Sequence, residues 1–357
     1  MTYDYLAFIG RFQPFHLGHR YVINAALRRA RHVIVLVGSP NIARSAKNPF
    51  TYDERAAMLG AAFPGEIAAG RLVVRPVDDF AYNDTAWVAA VQRTMARAVL
   101  EHANGGVATL CGMNDFRIGL VGHAKDASRS YLKSFPEWEV VEIEAPNGTF
   151  AAADIRRDYI RRAPILPHDT CPPEVVAQME AFCLTPAFTW LVSEAEWLAD
   201  YKRSWQAAPY APTFVTVDCI VEQSGHVLLV HRRDAPGKGL LALPGGFVGN
   251  DEHLRDAAIR ELREETSIAD QKGPIPPAML ASFIDDRASR VFDAPDRSER
   301  GRTITHAFLV RCPDRRKLFK VKGGDDAAHA AWYRFSDLDP HAFFEDHWFI
   351  LQAMTGI

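Results

Sequence analysis

Short apolar runs alternate with segments of helical composition along the first half of the chain. Runs at residues 5–9 and 32–38 predict strands, and the segment 20–30 between them predicts a helix. Further strands are predicted over 72–77, 107–111 and 138–143, and further helices over 86–102 and 151–162. Strand, helix and strand in alternation are typical of a parallel sheet covered by helices. We therefore predict a doubly wound parallel-sheet α/β domain over residues 1–183.

A different order of elements is predicted after residue 163. Prolines at positions 164, 167, 172 and 173 indicate an irregular segment over 163–183, and a helix with aromatic residues at helical spacing follows over 188–205. Strands are then predicted over 213–221, 226–231, 279–284, 303–310 and 331–335, and the segment 240–246 leads from the second of them into a helix. Gln223, Ser224 and Gly225 predict a hairpin between the first two of these strands. We assign 184–211 to a helical linker and 212–357 to a second domain.

Composition narrows the class of protein. A chain of 357 residues, 48% of them hydrophobic, is long for one core and favours two domains. Its net charge of −3 gives no excess of positive charge that would attract nucleic acid or anionic lipid, so neither is expected as a partner. The scattered cysteines form no C-x-x-C pair, the N-terminus has no basic leader, and no apolar run approaches the ~20 residues of a membrane span. We expect a soluble, cytoplasmic protein, and a homo-oligomer is compatible with the sequence.

The segment 246–268 carries more chemistry than any other part of the chain. Its second half is predicted to be helical, and Glu261, Glu264 and Glu265 then fall within an arc of about 100°. Like charges at this spacing repel each other. Arg260 can pair with Glu264, which leaves Glu261 and Glu265 without local partners. A solvated acidic face is the common explanation of such a helix, but a divalent cation, Mg²⁺ or Mn²⁺, held by carboxylate oxygens would also relieve the repulsion.

The spacing of these residues resembles the Nudix box, G-x5-E-x7-R-E-U-x-E-E-x-G-U, where U is aliphatic. The matching positions are Gly246, Glu252, Arg260, Glu261, Leu262, Glu264, Glu265 and Ile268. Ser267 replaces the late glycine that ends the helix in the family, so this departure concerns the helix C-cap and not the metal site.

The Nudix resemblance implies an α/β/α sandwich with a mixed sheet in the second domain. It assigns metal binding to Glu261, Glu264 and Glu265, with Glu264 and Glu265 also catalytic. Gly245 and Gly246 would let the backbone turn closely under the substrate.

The first strand-to-helix turn combines glycines with two histidines, and reads Gly10-Arg-Phe12-Gln-Pro14-Phe-His16-Leu-Gly18-His19. Ligands of such sheets lie beyond the carboxyl ends of the strands, where a helix N-terminus offers N–H groups to phosphate. A histidine pair alone is more often structural, but its position after a strand and among glycines favours an anion site. The turn resembles the H-x-G-H signature of the nucleotidyltransferase superfamily, in which both histidines contact the triphosphate.

Further segments resemble the nicotinamide mononucleotide (NMN) adenylyltransferases that are fused to a Nudix domain. They cover residues 44–55, 82–87, 112–115 and 122–126. The resemblance implies catalytic roles for His16, His19 and Arg156. It also implies that ATP and NMN are bound by Gly10, Phe12, Pro14, Gly18, Arg44, Lys47, Trp87, Asn114 and Asp115.

Several of these residues have a structural alternative. Arg44 and Lys47 suit phosphate but equally suit a solvated loop, Trp87 suits ring stacking or a core position, and Lys125 with Asp126 suits an exposed ion pair.

One segment departs from the adenylyltransferase pattern. Where the family has I-S-x-T-x-I-R, this chain has alanines at positions 151 and 153 before Arg156. Two hydroxyl donors to the ATP phosphates are therefore absent, each worth about 1.5–3 kcal/mol. The alternative for this domain is a slower transfer or a different acceptor.

The segment 287–302 contains five arginines, and it is either a solvated flap or a lid over pyrophosphate. We assign substrate binding in it to Arg297 and Arg302. Asp325 and Asp326 are candidates for a general base, with plain turn chemistry as the alternative.

Together the resemblances imply a bifunctional enzyme of NAD metabolism. One domain would join NMN and ATP into NAD and pyrophosphate, and the other would hydrolyse ADP-ribose to AMP and ribose 5-phosphate with Mg²⁺ or Mn²⁺. The alternatives are hydrolysis of another nucleoside diphosphate derivative, and a nucleotide-sensing regulator, although no basic DNA-binding helix is evident.

Overall fold

The computed structural model describes residues 2–103, 115–123, 129–143, 151–324 and 326–357. The chain divides into two compact units, Met1–Ser193 and Glu194–Ile357. We call them the N-terminal and C-terminal units. The division falls inside one helix, α7 (Pro186–Ser204), within the range that the sequence assigns to a linker.

The N-terminal unit alternates strands with helices. Its strands are β1 (Tyr3–Gly10), β2 (Ala30–Gly38), β3 (Leu72–Val77), β4 (Ile118–His123) and β5 (Glu139–Ile143). Its helices are α1 (Leu17–Arg29), α2 (Tyr52–Ala62), α3 (Pro64–Ala68), α4 (Asp84–Ala103), α5 (Ala152–Tyr159) and α6 (Pro173–Phe182), with a short 3-10 helix at Arg129–Ser134. The predicted strand over 107–111 lies outside the described residues.

The five strands of the N-terminal unit form one sheet in the order β3-β2-β1-β4-β5. Every neighbouring pair is parallel, and β1 is central because Tyr5 pairs with both His32 and Ile118. The strand order reverses between β1 and β4, which is the switch point where open α/β sheets bind ligands. The predicted doubly wound architecture is confirmed.

Helix α6 occupies part of the segment that the prolines predicted to be irregular, so that prediction is wrong. Pro172 is the N-cap and Pro173 the first helical residue. Proline is tolerated there because the first turn has no partner for its N–H group. The prolines therefore mark the beginning of a helix.

The C-terminal unit is built on a seven-stranded sheet in the order β12-β13-β6-β7-β14, with β8 paired to β7 and β9 to β6. Its strands are β6 (Thr213–Gln223), β7 (His226–Arg232), β8 (Leu241–Ala242), β9 (Gly245–Phe247), β12 (Arg290–Phe292), β13 (Arg302–Arg311) and β14 (Ala327–Arg334), and β10 (Ala269–Asp270) and β11 (Gly273–Pro274) form a separate small pair. The helices are α8 (Leu254–Thr266), α9 (Pro277–Ser282) and α10 (His347–Thr355). Strands β6 and β13 are parallel and the other pairs antiparallel, so the predicted mixed sheet is confirmed.

Two local predictions in the C-terminal unit have opposite outcomes. The hairpin forms as predicted, since Ser224 and Gly225 both have positive φ (49° and 74°) between paired strands. The strand predicted over 279–284 is wrong, because Pro276 and Pro277 begin the helix α9 there.

Helix α8 packs one face against the sheet. Ala257, Ala258 and Leu262 on that face are completely buried in the main core of the C-terminal unit. The acidic side chains lie at the margin of that face and beyond it, since Glu265 is buried and Glu264 is exposed.

Within the described residues, no single helix is long and apolar enough to cross a membrane. Helices α6 and α7 together have the length and the composition of a membrane span, but the chain bends by 84° between them.

Candidate active sites

The turn between β1 and α1 lies at the switch point of the N-terminal sheet. Phe12 has a positive φ of 52° and is buried. A Cβ at Gly10 would lie 2.9 Å from the Phe12 ring, so a side chain there would displace the turn. Pro14 follows a cis peptide bond. This tight turn delivers the chain to the first residue of α1 beyond the carboxyl end of β1.

His16 and His19 lie together at the N-terminus of α1. Their ring centroids are 3.7 Å apart and the planes differ by 22°. Nδ1 of His19 accepts the His16 N–H at 3.3 Å. A Cβ at Gly18 would lie 3.0 Å from the His16 ring, so glycine provides the space for this stacked pair.

Burial keeps both imidazoles neutral. It lowers the pKa of His16 from 6.5 to about 4. Burial, followed by the nearby His16, lowers the pKa of His19 well below its ordinary value. Near pH 7 the pair therefore offers hydrogen bonds, and not positive charge, to a ligand at this helix terminus.

Arg156 of α5 connects to the same turn. Its Nη1 donates to the backbone oxygen of Gln13 at 2.8 Å. The Gln13 side chain in turn bonds both backbone groups of Phe50, at 2.8 and 3.0 Å. Ala151 is the N-cap of α5 and makes no side-chain cap hydrogen bond.

Arg44 is occupied by structural contacts. It binds both carboxylate oxygens of Glu54 at 2.7 and 2.8 Å and the backbone oxygen of Pro49 at 2.6 Å. Its guanidinium also lies over the Phe182 ring, 5.0 Å from the centroid. Between the two interpretations of Arg44, these contacts favour a role in holding the start of α2.

The structure also describes Lys47, Trp87 and Asp115, which the sequence assigns to nucleotide binding. Lys47 is half-buried, and Asp115 is exposed. Trp87 is half-buried at the edge of the core, with its ring 5.9 Å from that of Phe135. Asn114, Lys125 and Asp126 lie outside the described residues.

Arg55 ends the segment 44–55 that carries the adenylyltransferase resemblance, but the sequence analysis assigns it no role, and the structure gives it a structural one. Its side chain is completely buried. It donates to the backbone oxygens of Arg11, Gly38, Ser39 and Thr51 at 2.6, 2.6, 2.9 and 3.1 Å. It therefore fastens the ends of β1 and β2 to α2. An arginine in an ordinary helical segment carries no signal of such long-range contacts.

The acidic helix α8 ends as the family pattern requires despite its changed residue. Ser267 adopts the left-handed conformation, with φ 45°, and its N–H bonds the Arg263 oxygen at 2.9 Å. Serine thus occupies the conformation that glycine favours at this position.

Arg260 is surrounded by the acidic residues of the C-terminal site. Its guanidinium contacts Glu252 at 2.7 Å, Glu261 at 2.8 Å and Glu264 at 2.9 Å. The expectation that Glu261 has no local partner is therefore wrong. The long side chain places Nη1 between Glu261 and Glu264, which a count of helical spacing does not reveal.

Glu265 is buried beneath the Gly245–Gly246 turn. The Gly245 N–H donates to its Oε2 at 2.9 Å. Burial, and to a smaller extent the neighbouring Glu261 and Asp218, raise the pKa of Glu265 to about 8. Its charged form therefore requires a compensating positive charge.

Both glycines are required by close packing. A Cβ at Gly245 would lie 2.1 Å from the Val217 backbone oxygen, and one at Gly246 would lie 2.5 Å from Glu261 Oε1. The backbone thus runs directly over the carboxylates.

The carboxylates fit a divalent cation by their chemistry. Within the described residues no three of them are already gathered into a cation site, since Arg260 holds two and Gly245 contacts the third. The donors are hard oxygens, and the positive charge of a divalent cation would offset the burial and the nearby carboxylates that oppose ionisation of Glu265. Glu261, Glu264 and Glu265 would hold it.

The two loop arginines assigned to substrate are engaged elsewhere in this structure. Arg297 is buried and bonds both oxygens of Asp346 at 2.9 Å. Nη1 of Arg302 donates a hydrogen bond to the backbone oxygen of Asp293. Asp326 is exposed, and Asp325 lies outside the described residues.

Two family models match separate parts of the chain. The cytidylyltransferase-like family matches residues 7–78, and the NUDIX domain family matches residues 212–353. The nicotinamide/nicotinic acid mononucleotide adenylyltransferase of Acinetobacter baylyi is 40% identical over 157 residues, which are 44% of this chain and 76% of that protein. The ADP-ribose pyrophosphatase of Methanocaldococcus jannaschii is 36% identical over 138 residues, which are 39% of this chain and 70% of that protein.

A solved structure matches nearly the whole chain. It is a bifunctional NMN adenylyltransferase/ADP-ribose pyrophosphatase from Francisella tularensis in complex with AMP and a manganese ion. The two proteins are 33% identical, 99% of each chain is covered, and the TM-score is 0.86. The chain therefore belongs to the family of bifunctional NMN adenylyltransferase/ADP-ribose pyrophosphatases.

Proposed function

We propose that the N-terminal unit transfers the adenylyl group of ATP to NMN, and that the C-terminal unit hydrolyses ADP-ribose in the presence of a divalent cation, Mg²⁺ or Mn²⁺. The first reaction gives NAD and pyrophosphate. The second gives AMP and ribose 5-phosphate. The family supports both activities, and the local geometry supports the roles of the residues.

The observation that carries the first activity is the stacked, neutral histidine pair at a helix N-terminus beside the switch point. The NMN phosphate attacks the α-phosphorus of ATP, the bond to the bridging oxygen breaks, and pyrophosphate leaves. His16 and His19, together with the N–H groups of α1, donate hydrogen bonds to the phosphate oxygens, and Arg156 supplies positive charge. No protein nucleophile is needed, because positioning and electrostatic stabilisation carry this catalysis.

The observation that carries the second activity is the set of three glutamates beneath a turn of two glycines. When bound, a divalent cation supplies the positive charge that activates water and polarises the diphosphate. Glu261, Glu264 and Glu265 would hold that cation, and Gly245 and Gly246 would let the diphosphate approach the backbone. Water adds to one phosphorus, the bond from that phosphorus to the bridging oxygen breaks, the other phosphate leaves with that oxygen, and the proton of the water is released to solvent.

The test is product analysis with the full chain. With NMN, ATP and Mg²⁺ we expect NAD and pyrophosphate, and with ADP-ribose and Mg²⁺ we expect AMP and ribose 5-phosphate. Excess EDTA should stop hydrolysis. A folded protein that forms no NAD would overturn the first assignment, and ADP-ribose left intact would overturn the second.

A slower N-terminal reaction is the second candidate. Ala151 provides no hydroxyl at the start of α5, where Arg156 is held. Ala151→Ser with Ala153→Thr should raise the rate of NAD formation if phosphate contacts are limiting, and an unchanged rate would exclude this explanation.

A further inference from the structure

A row of alternating arginine and phenylalanine side chains lies beside the Gly245–Gly246 turn. The guanidinium of Arg232 lies 4.2 Å from the centroid of Phe344. Arg300 lies 5.9 Å from the centroid of Phe344 and 5.3 Å from that of Phe247. Because Phe247 directly follows Gly246, this row brings Arg300 to the edge of the acidic site.

Arg300 differs from the other arginines assigned in its loop. Arg297 uses two nitrogens on Asp346, and Arg302 is directed to Asp293. In Arg300, Nε donates to Ser298 Oγ at 3.3 Å, and Nη2 forms a long ion pair with Glu345 Oε2 at 3.9 Å, in contrast to the two close hydrogen bonds of Arg297. Stacking on a ring leaves the N–H edge of a guanidinium available to an anion.

The loop that carries Arg300 is fastened to the turn before α10. Glu345 accepts from Ser298 Oγ at 2.8 Å and from the Glu299 N–H at 3.0 Å. Glu345 also has a positive φ of 44°, an uncommon conformation for a residue other than glycine. Since the contacts on both sides fix the backbone, Arg300 is presented in one place and loses little freedom on binding.

We propose that Arg300, and not Arg297 or Arg302, is the loop arginine that binds the diphosphate of the substrate in the C-terminal site. Phe247 and Phe344 are positioning residues that hold its guanidinium. The assignment rests on the proposed hydrolysis of ADP-ribose. A planar guanidinium matches two oxygens of a diphosphate, which gives the residue a specific function in this loop.

The test compares two arginines of equal charge in the same segment. Arg300→Gln should raise the KM for ADP-ribose by about 10- to 100-fold, as expected for a lost hydrogen bond to a charged group. Arg290→Gln is the matched control, because Arg290 is exposed and lies over Phe292. Its KM should stay within about twofold of the original, as for ordinary surface substitutions.

Two more variants distinguish binding from structural support. Arg300→Lys keeps the positive charge but loses the planar guanidinium that can bind two oxygens, so its KM should also rise. This variant replaces Arg300→Gln if Arg300→Gln does not fold. Phe247→Leu should raise the KM, whereas Phe247→Tyr, which keeps a ring, should restore it. Millimolar guanidinium should partly rescue Arg300→Ala and not affect Arg290→Gln.

Wild-type protein that leaves ADP-ribose intact would overturn the proposed function itself. If the wild type is active, an unchanged KM in folded Arg300→Gln or Arg300→Lys would overturn this inference alone. Equal rises in Arg300→Gln and Arg290→Gln would also contradict it, because they would indicate a general effect of loop charge.

Discussion

Burial determines the charge state of the residues at both candidate sites. It lowers the pKa of His16 to about 4 and raises that of Glu265 to about 8, so each group is shifted towards its neutral form. The N-terminal site thus presents neutral donors to phosphate. The C-terminal site presents a carboxyl group whose ionisation depends on a cation.

The shifted pKa of His16 predicts an acid sensitivity of the N-terminal unit. Between the folded value of about 4 and the ordinary value of 6.5, the unfolded chain binds the additional proton. The free energy of unfolding therefore rises with pH across this window and falls as acid is added. In His16→Gln this dependence should be weaker, as measured by denaturant unfolding at pH 4.5 and 6.5. The same pH dependence in both proteins would show that His16 is not the titrating group.

For single residues, the sequence predicts those contacts that depend on the spacing of residues close together in the chain. The pairing of His16 with His19 and the placement of Glu261 and Glu264 on one face both follow from intervals of three residues. The contact of Arg297 with Asp346 joins residues 49 positions apart, so no local pattern reveals it.

The secondary-structure elements present the site residues at their ends. Helix α1 begins with the histidine pair, and α8 carries the acidic arc with its other face buried. Most predicted elements are found because apolar runs mark strands well. The errors occur at prolines, where a helix start and an irregular segment have the same composition, as α6 and α9 show.

The C-cap of α8 predicts a stabilising substitution. Ser267 has φ 45°, a conformation that costs an ordinary residue about 1–2 kcal/mol and glycine very little. Replacing Ser267 with glycine removes this conformational cost, but glycine also increases the entropy of the unfolded chain. Ser267→Gly should therefore stabilise the C-terminal unit by only about 0.5–1 kcal/mol. Thermal unfolding should show a higher Tm in this variant, and its rate of ADP-ribose hydrolysis should be unchanged. Destabilisation would mean that the serine hydroxyl makes an essential contact.

The buried Arg55 predicts a large loss of stability. Arg55→Met leaves backbone oxygens of the β1 and β2 ends without donors, at about 1–3 kcal/mol for each buried group. We expect a loss of at least about 3 kcal/mol and of NAD formation, with hydrolysis retained. Arg97→Ala removes an exposed pair with Glu101 and should cost less than about 1 kcal/mol. Similar losses from both substitutions, measured by denaturant unfolding, would contradict this role of Arg55.

At the scale of the whole molecule, each unit has its own sheet, core and candidate site. The N-terminal site lies beyond the carboxyl ends of parallel strands, and the C-terminal site lies between a mixed sheet and α8. The two chemistries use different groups, since one needs neutral imidazoles and the other ionised carboxylates. Each activity should therefore be removable without the other.

The most direct test is to measure both reactions in two variants of the full chain. Glu265→Gln should abolish the release of AMP from ADP-ribose and leave NAD formation from NMN and ATP unchanged. His19→Ala should abolish NAD formation and leave ADP-ribose hydrolysis unchanged. Loss of both reactions in either folded variant, or hydrolysis that survives in Glu265→Gln, would contradict the assignment of two independent sites.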